Sequence, residues 1–294
     1  MVESDNYSNY LSTLDDISLQ MMISLRGDLS LHIREPDREK QSYPSCRLQK
    51  GLLLFKGNKD LSEEGVGFGV PILKSGEKTI FPGRGNIEVN EYADETQVMI
   101  DYDLNLLKTM AFKGRKIRNR SIYSINESLS FLHRKYPFSR EFLTKGSNAL
   151  RRLLDIETGF EEVASEGLVG MIYTITQDGM IHVSADLSRI KKELFTEVMI
   201  MNEQGANYFD TYRDSKGTIL PGDAIGSWQE TSCDEISFIH SGNDMAFALL
   251  KIDGSKMFYG RELVGNRLSW AGIAYSLSPH IQDFAYDIRI GMRK

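Results

Sequence analysis

Cysteine is nearly missing from this 294-residue chain: Cys46 and Cys233 are the whole complement, far apart and in no Cys-x-x-Cys spacing. Neither a disulfide framework nor a zinc site can be built on them, and two buried thiols are expected. Proline is scarce at 7, while 41% of residues are hydrophobic and 26% charged, so an ordered globular chain is expected away from its ends. Long apolar runs are absent as well. The densest, Leu52 to Phe55, falls far short of the ~20 residues a membrane helix needs. Residues 1–9 carry Glu3 and Asp5 and lack the basic and apolar regions of a secretory signal. A soluble, cytoplasmic protein with no membrane partner is therefore expected, and the Asn-x-Ser matches at Asn6, Asn119 and Asn126 carry no weight without a secretory route.

Chemical motifs are sparse too. The histidines His32, His133, His182, His240 and His280 show no His-x-x-x-His or Glu-x-x-His spacing, so no metal is expected, and no cofactor. No Gly-x-Ser-x-Gly elbow or P-loop occurs. Gly65-Val66-Gly67-Phe68-Gly69 has the look of a nucleotide-binding turn, but Pro71 follows where a helix should open. Three glycines in a strand fit a bulge or the close approach of another backbone.

What the chain does have is a period of two. Ile17, Leu19, Met21, Ile23 and Leu25 alternate with mostly polar neighbours, Arg26-Gly27-Asp28 interrupts, and Leu29, Leu31 and Ile33 resume. Successive strand side chains point to opposite faces, so this reads as a hairpin. Val169 to Ile175 and Ile181 to Leu187 repeat the pattern around Asp178-Gly179, a pair that supplies the positive φ of a tight turn. Further alternating runs fill Val98 to Leu106 and nearly all of the chain from Ile236 to Ile290. The expectation is a mainly β fold, a large antiparallel β-sandwich, as one domain over 1–294. From about 127 to 155 the spacing turns helical, with Leu129 and Leu132, Phe142 and Leu143, and Leu150 to Leu154, and Pro137 placed to open a second helix.

Charge is segregated around that insertion. Between Lys108 and Arg152 there are twelve Lys or Arg against Glu127 and Glu141, a segment of +10 in a chain of −6, which leaves −16 elsewhere. A basic insertion over 108–155 docked on acidic sheets accounts for this, and an anion-binding surface is the functional alternative. The pI of 5.5 and the lack of a recognisable module argue against nucleic acid.

Aromatic and charged residues at strand positions suggest where a ligand could sit. Trp228 lies among the polar Gly226, Ser227, Gln229 and Glu230; Tyr212 and Arg213 are neighbours; Arg84 stands in the Pro82-Gly83-Arg84-Gly85 turn. Flat rings stack on sugar C–H faces, and carboxylates and Arg fork to hydroxyls and acids. His182 and His240 fall in strand patterns and could transfer protons. A core or solvated role is the plain alternative for each of these residues.

The run of large antiparallel sheets ending in Phe284-Ala285-Tyr286-Asp287-Ile288-Arg289-Ile290 resembles the supersandwich proteins related to galactose mutarotase and to the C-terminal domains of polysaccharide lyases. That resemblance is architectural. It implies a sugar-facing sheet, on which an epimerase-like member would pair a carboxylate base with a histidine acid, and a lyase-like member would use Arg to neutralise a uronate and Tyr or His to take its proton. Glu230, His240, His182 and Tyr212 are the catalytic candidates, and Arg84, Trp228 and Arg213 the ligand-binding ones. Three readings stay open: a carbohydrate-binding or carbohydrate-active sandwich, a non-enzymatic β scaffold that holds an anionic partner through the basic insertion, and a structural protein. No feature of the sequence fixes an oligomeric state.

Overall fold

The computed structural model describes residues 10–14, 17–36, 47–76, 78–112, 115–116, 156–226, 228–264 and 267–292. Cys46, His133, the expected helices within 127–155 and most of the basic insertion lie outside the described residues. Among those described, no helix is long and apolar enough to cross a membrane.

A small antiparallel sheet holds β1 (Tyr10–Leu14), β2 (Ile17–Ser24), β3 (Leu29–Arg34), β4 (Leu53–Lys56) and β5 (Lys59–Asp60) in that order. The remaining strands are β6 (Gly67–Ser75), β7 (Lys78–Glu91), β8 (Glu95–Phe112), β9 (Arg115–Lys116), β10 (Ile156–Glu162), β11 (Leu168–Thr176), β12 (Met180–Asp186), β13 (Glu197–Gln204) and β14 (Thr211–Asp214). They are followed by β15 (Ile219–Pro221), β16 (Gln229–Thr231), β17 (Glu235–Ile239), β18 (Met245–Leu250), β19 (Lys256–Val264), β20 (Arg267–Leu277) and β21 (Asp283–Met292). These form one 16-stranded sheet in the order β15-β14-β17-β18-β21-β12-β11-β8-β7-β6-β13-β20-β19-β16, with β9 and β10 also on β8. The period of two thus reports strands in every run where the sequence shows it, and the mainly β, antiparallel sandwich is what the chain builds.

Local chemistry sets the turns. Gly179, with φ +88, lets β12 turn back on β11, and a side chain there would meet the Ile290 carbonyl at 2.3 Å. Asp178 closes the same turn by accepting from the Thr176 hydroxyl at 2.6 Å. Gly67 and Gly69 both have positive φ beside a register shift between Met201 and Asn202 of β13, so the glycine-rich run is a bulge, as its failure as a nucleotide turn suggests.

The long sheet doubles over on itself. Its second strand meets its next-to-last where Tyr212 of β14 stacks on Tyr259 of β19 at 4.2 Å. Phe68 of β6 meets Phe247 of β18 edge to face at 5.5 Å. Between the halves lie Tyr102, Tyr173, Tyr275 and Tyr286, all buried, and the same core cluster takes Ile23, Leu31 and Leu54 from the small sheet. Aromatic rings of this size contribute most of the buried apolar area per residue. A second apolar cluster covers the opposite face of β6 and β13, through Val70, Ile72, Met199 and Met201.

Candidate polar face around His182 and Asp287

Burial alternates residue by residue on β11 and β12, with Met171, Tyr173, Val183 and Ala185 inward. The intervening side chains therefore form an outward face shared by β7, β8, β11, β12, β21, β18, β17 and β14. Register aligns them in rungs. Asn90 pairs with Gln97, Gln97 with Thr174, Thr174 with His182, and His182 with Asp287. The adjacent rung runs from Met180 through Arg289, Ala248 and Ser237 to Arg213. Neighbouring strands lie ~4.8 Å apart, so each rung is a row of closely spaced side chains.

At its centre Nδ1 of His182 is 2.6 Å from Oδ1 of Asp287, with side chains 56% and 41% exposed. An ionised carboxylate only accepts, so Nδ1 of the neutral ring carries the proton and Nε2 the lone pair. An imidazole held this way by a carboxylate has the orientation of a general base. Beside it Arg289 approaches Glu235 at 3.9 Å, and Glu235, Ala248, Leu250, Asp287 and Arg289 border a slight surface depression. Sites that enclose a small ligand measure ~300–1,000 Å³, whereas this depression holds no enclosed volume and is open surface. Two rungs from His182 on the side away from Arg289, Arg189 contacts both Asp101 and Asp186, and these contacts hold the arginine in its charged form.

The residues singled out in the sequence separate into distinct places. His182 and Arg213 share the face just described. Arg84 is exposed on β7 opposite Asp103, at the far margin of that face. Trp228 is half-buried: its ring stacks on Trp270 at 4.8 Å and lies over the cross-strand pair Gly260 and Gly272. Glu230 follows it on β16, exposed and 3.6 Å from the ammonium of Lys256.

Tyr212 is buried, and its hydroxyl donates to Asp214 at 3.2 Å. Burial first, with the neighbouring Tyr259 and Asp214, pushes its pKa far above the ordinary phenol range, which suits a structural hydroxyl. His240 closes the turn between β17 and β18. Its Nδ1 accepts from the Gly242 amide at 2.8 Å and its ring meets Tyr208 edge to face at 4.3 Å.

Sequence reasoning missed Asp287, Arg289 and Glu235. The signal was present in β21, where Phe284, Tyr286, Ile288 and Ile290 alternate inward and so send Asp287 and Arg289 outward. Among the described residues no group of three or more His, Cys, Asp or Glu could hold a metal ion.

No family model matches the chain, and no curated protein matches it. Among solved structures it is similar to the alpha-N-acetylgalactosaminidase NagBb from Bifidobacterium bifidum in complex with GalNAc, at 9% identity and a TM-score of 0.49, over 92% of this chain and 36% of that one. It is similar to a heparan sulfate lyase HepC mutant from Pedobacter heparinus, at 6% identity and a TM-score of 0.45, over 98% of this chain and 37% of that one. Galactose 1-epimerase from Lactobacillus acidophilus NCFM is similar at 9% identity and a TM-score of 0.27, over 97% of both chains. The chain spans about a third of the length of the first two. The likeness is one of architecture, and at these identities and TM-scores it extends to neither activity nor ligand.

Proposed function

We propose that this chain is a carbohydrate-binding β-sandwich that takes an extended saccharide across the outward face centred on His182 and Asp287. The observation that carries the reading is the rung Asn90, Gln97, Thr174, His182 and Asp287. It places amide, hydroxyl, imidazole and carboxylate groups side by side on the outward face of the sheet. Polyhydroxylated ligands are held by such planar donors and acceptors. Small residues keep the surface low: Ser184 and Ala285 pair next to the rung, and Ala248 floors the depression.

The openness favours binding over bond-breaking. His182 has the orientation of a base, but a face that leaves both members of the pair in water does not provide the dry surroundings in which fixed charges act most strongly on a reaction. The test is a glycan array followed by calorimetry on the best ligand. Ala285→Trp, which places a bulky ring on the face without touching the core, should weaken binding at least about tenfold, equal to ~1.4 kcal/mol. Saccharide binding that ignores this substitution, or no binding to any glycan, would overturn the proposal.

A further inference from the structure

Open strand edges invite pairing with other chains, and several here are kept short or interrupted. β5 has two residues, β16 three, β15 three ending in Pro221, and β1 carries a register shift between Tyr10 and Ser12. β7 is different. β6 pairs only with its first residues, Lys78 to Ile80, and the Gln49 amide takes the Pro82 carbonyl. From Arg84 to Glu91 its strand pairing is with β8 alone.

The direction of the backbone groups along that stretch follows from β8. Leu104 donates its amide to Gly167 and accepts from the Glu166 amide, both on the side away from β7. Successive strand residues alternate in side, so Asp103, Asp101, Met99 and Gln97 turn toward β7 and meet Arg84, Asn86, Glu88 and Asn90. The bond from the Tyr92 amide to the Glu95 carbonyl continues that series. The N–H and C=O groups of Gly85, Ile87, Val89 and Glu91 therefore point away from β8, and among the described residues no backbone group meets them. The stretch holds neither proline nor lysine, the usual protections of an open edge, and its register is unbroken.

We infer that this edge seats a second copy of the chain, paired antiparallel about a two-fold axis so that the large sheet runs from one copy into the other. Charge makes the strand its own complement. Arg84 and Glu88 are both exposed on the outward face, four positions apart. Pairing centred on Asn86 sets each Arg84 opposite Glu88 of the other copy, and pairing centred on Ile87 sets the two diagonally, within reach of long side chains. Both registers match Gly85, Ile87 and Val89 groups that lack partners. On the inner face Ile87 and Val89 are only half-buried, and the second strand covers them. Paired strands share their faces, so the outward faces of the two copies join into one surface.

Sedimentation velocity over a wide concentration range reads the association of the 33.4 kDa chain. A dimer that forms as concentration rises is expected. Val89→Pro removes an amide that β8 does not use, so it should abolish the dimer while circular dichroism and thermal unfolding of the single chain stay unchanged. Arg84→Glu and Glu88→Arg each turn two symmetry-related attractions into repulsions and should weaken the dimer at least about tenfold. An equimolar mixture of these two variants should dimerise again, because each acid then meets an arginine across the interface. A wild-type chain that stays monomeric overturns the inference. A dimer that survives Val89→Pro and both charge reversals also overturns it, since the contact would lie elsewhere, and a mixture that fails to recover overturns the antiparallel pairing. If Val89→Pro does not fold, the two charge variants and their mixture decide.

Discussion

The Tyr173 hydroxyl donates to the Gly69 carbonyl at 2.8 Å, tying β11 to β6 through the middle of the folded-over sheet. Around it the polar groups interlock. Tyr102 and Tyr173 share a hydroxyl contact at 3.0 Å, and Oδ1 of Asn202 accepts from both the Gly69 amide at 3.0 Å and Tyr286 at 2.9 Å. Burial pushes the pKa values of these phenols well above the ordinary range, so all remain neutral and available as donors.

Removing one member should therefore leave buried partners unsatisfied. Tyr173→Phe is expected to cost ~1–3 kcal/mol, read as a lower urea midpoint at unchanged slope. Gly69→Ala should cost more, at least ~2 kcal/mol. Gly69 has φ +77, and an added Cβ would lie 2.4 Å from the Tyr173 ring. Gly76→Ala, with nothing within 4 Å, is the control that should stay near neutral.

Acid should weaken the small sheet through one residue. His32 is buried, stacked on Phe55 at 3.8 Å, with Nε2 2.8 Å from the Ser30 hydroxyl. Burial, reinforced by Arg34, pushes its pKa down from 6.5 to about 4. The folded protein thus keeps the ring neutral where the unfolded chain already takes up a proton. Its contribution is complete above pH 6.5 and is lost as pH falls from 6.5 to about 4, a change of ~3 kcal/mol. His32→Phe, which keeps the stack on Phe55, should flatten this part of the stability profile. An equally steep acid loss in the variant would assign it to other groups.

Trp228 separates a structural from a ligand role. Its ring stacks on Trp270 and covers Gly260 and Gly272, where any Cβ would come within 3.2 Å of it. Trp228→Ala should cost ~2 kcal/mol of stability from the lost stack and apolar area. With the saccharide on the His182 face, its affinity should be unchanged. A selective loss of binding at unchanged stability would move the sugar to the Trp228 side.

These contrasts show which properties a sequence carries locally. Alternation placed His182 between the inward Ile181 and Val183, and it equally places Asp287 between Tyr286 and Ile288. Both could be read as outward. That they touch depends on β12 pairing with β21 in a register joining residues 105 positions apart, and no local pattern encodes that pairing. The hairpin at Asp178-Gly179 and the bulge at Gly67 to Gly69 were legible because each depends on positive φ at glycines that stand next to the turn or shift they permit. The half-buried seat of Trp228 was not legible, because it is made by two glycines, on β19 and β20, whose missing side chains make room for the ring.

The two histidines of the strand pattern should differ in tautomer, and this tests the face at atomic detail. At His240 the Gly242 amide can only donate, so Nδ1 accepts at 2.8 Å and the neutral ring carries its hydrogen on Nε2. At His182 the Asp287 carboxylate can only accept, so the neutral ring carries its hydrogen on Nδ1 and offers the Nε2 lone pair outward. Long-range proton–nitrogen correlation spectra of the neutral rings should therefore show opposite patterns for the two residues. Asp287→Ala should release His182 toward the Nε2–H form common in free imidazoles while leaving His240 unchanged. A His182 ring already in that form in the wild type would mean that Asp287 does not orient it, and the polar face would lose the group on which its proton-accepting character depends.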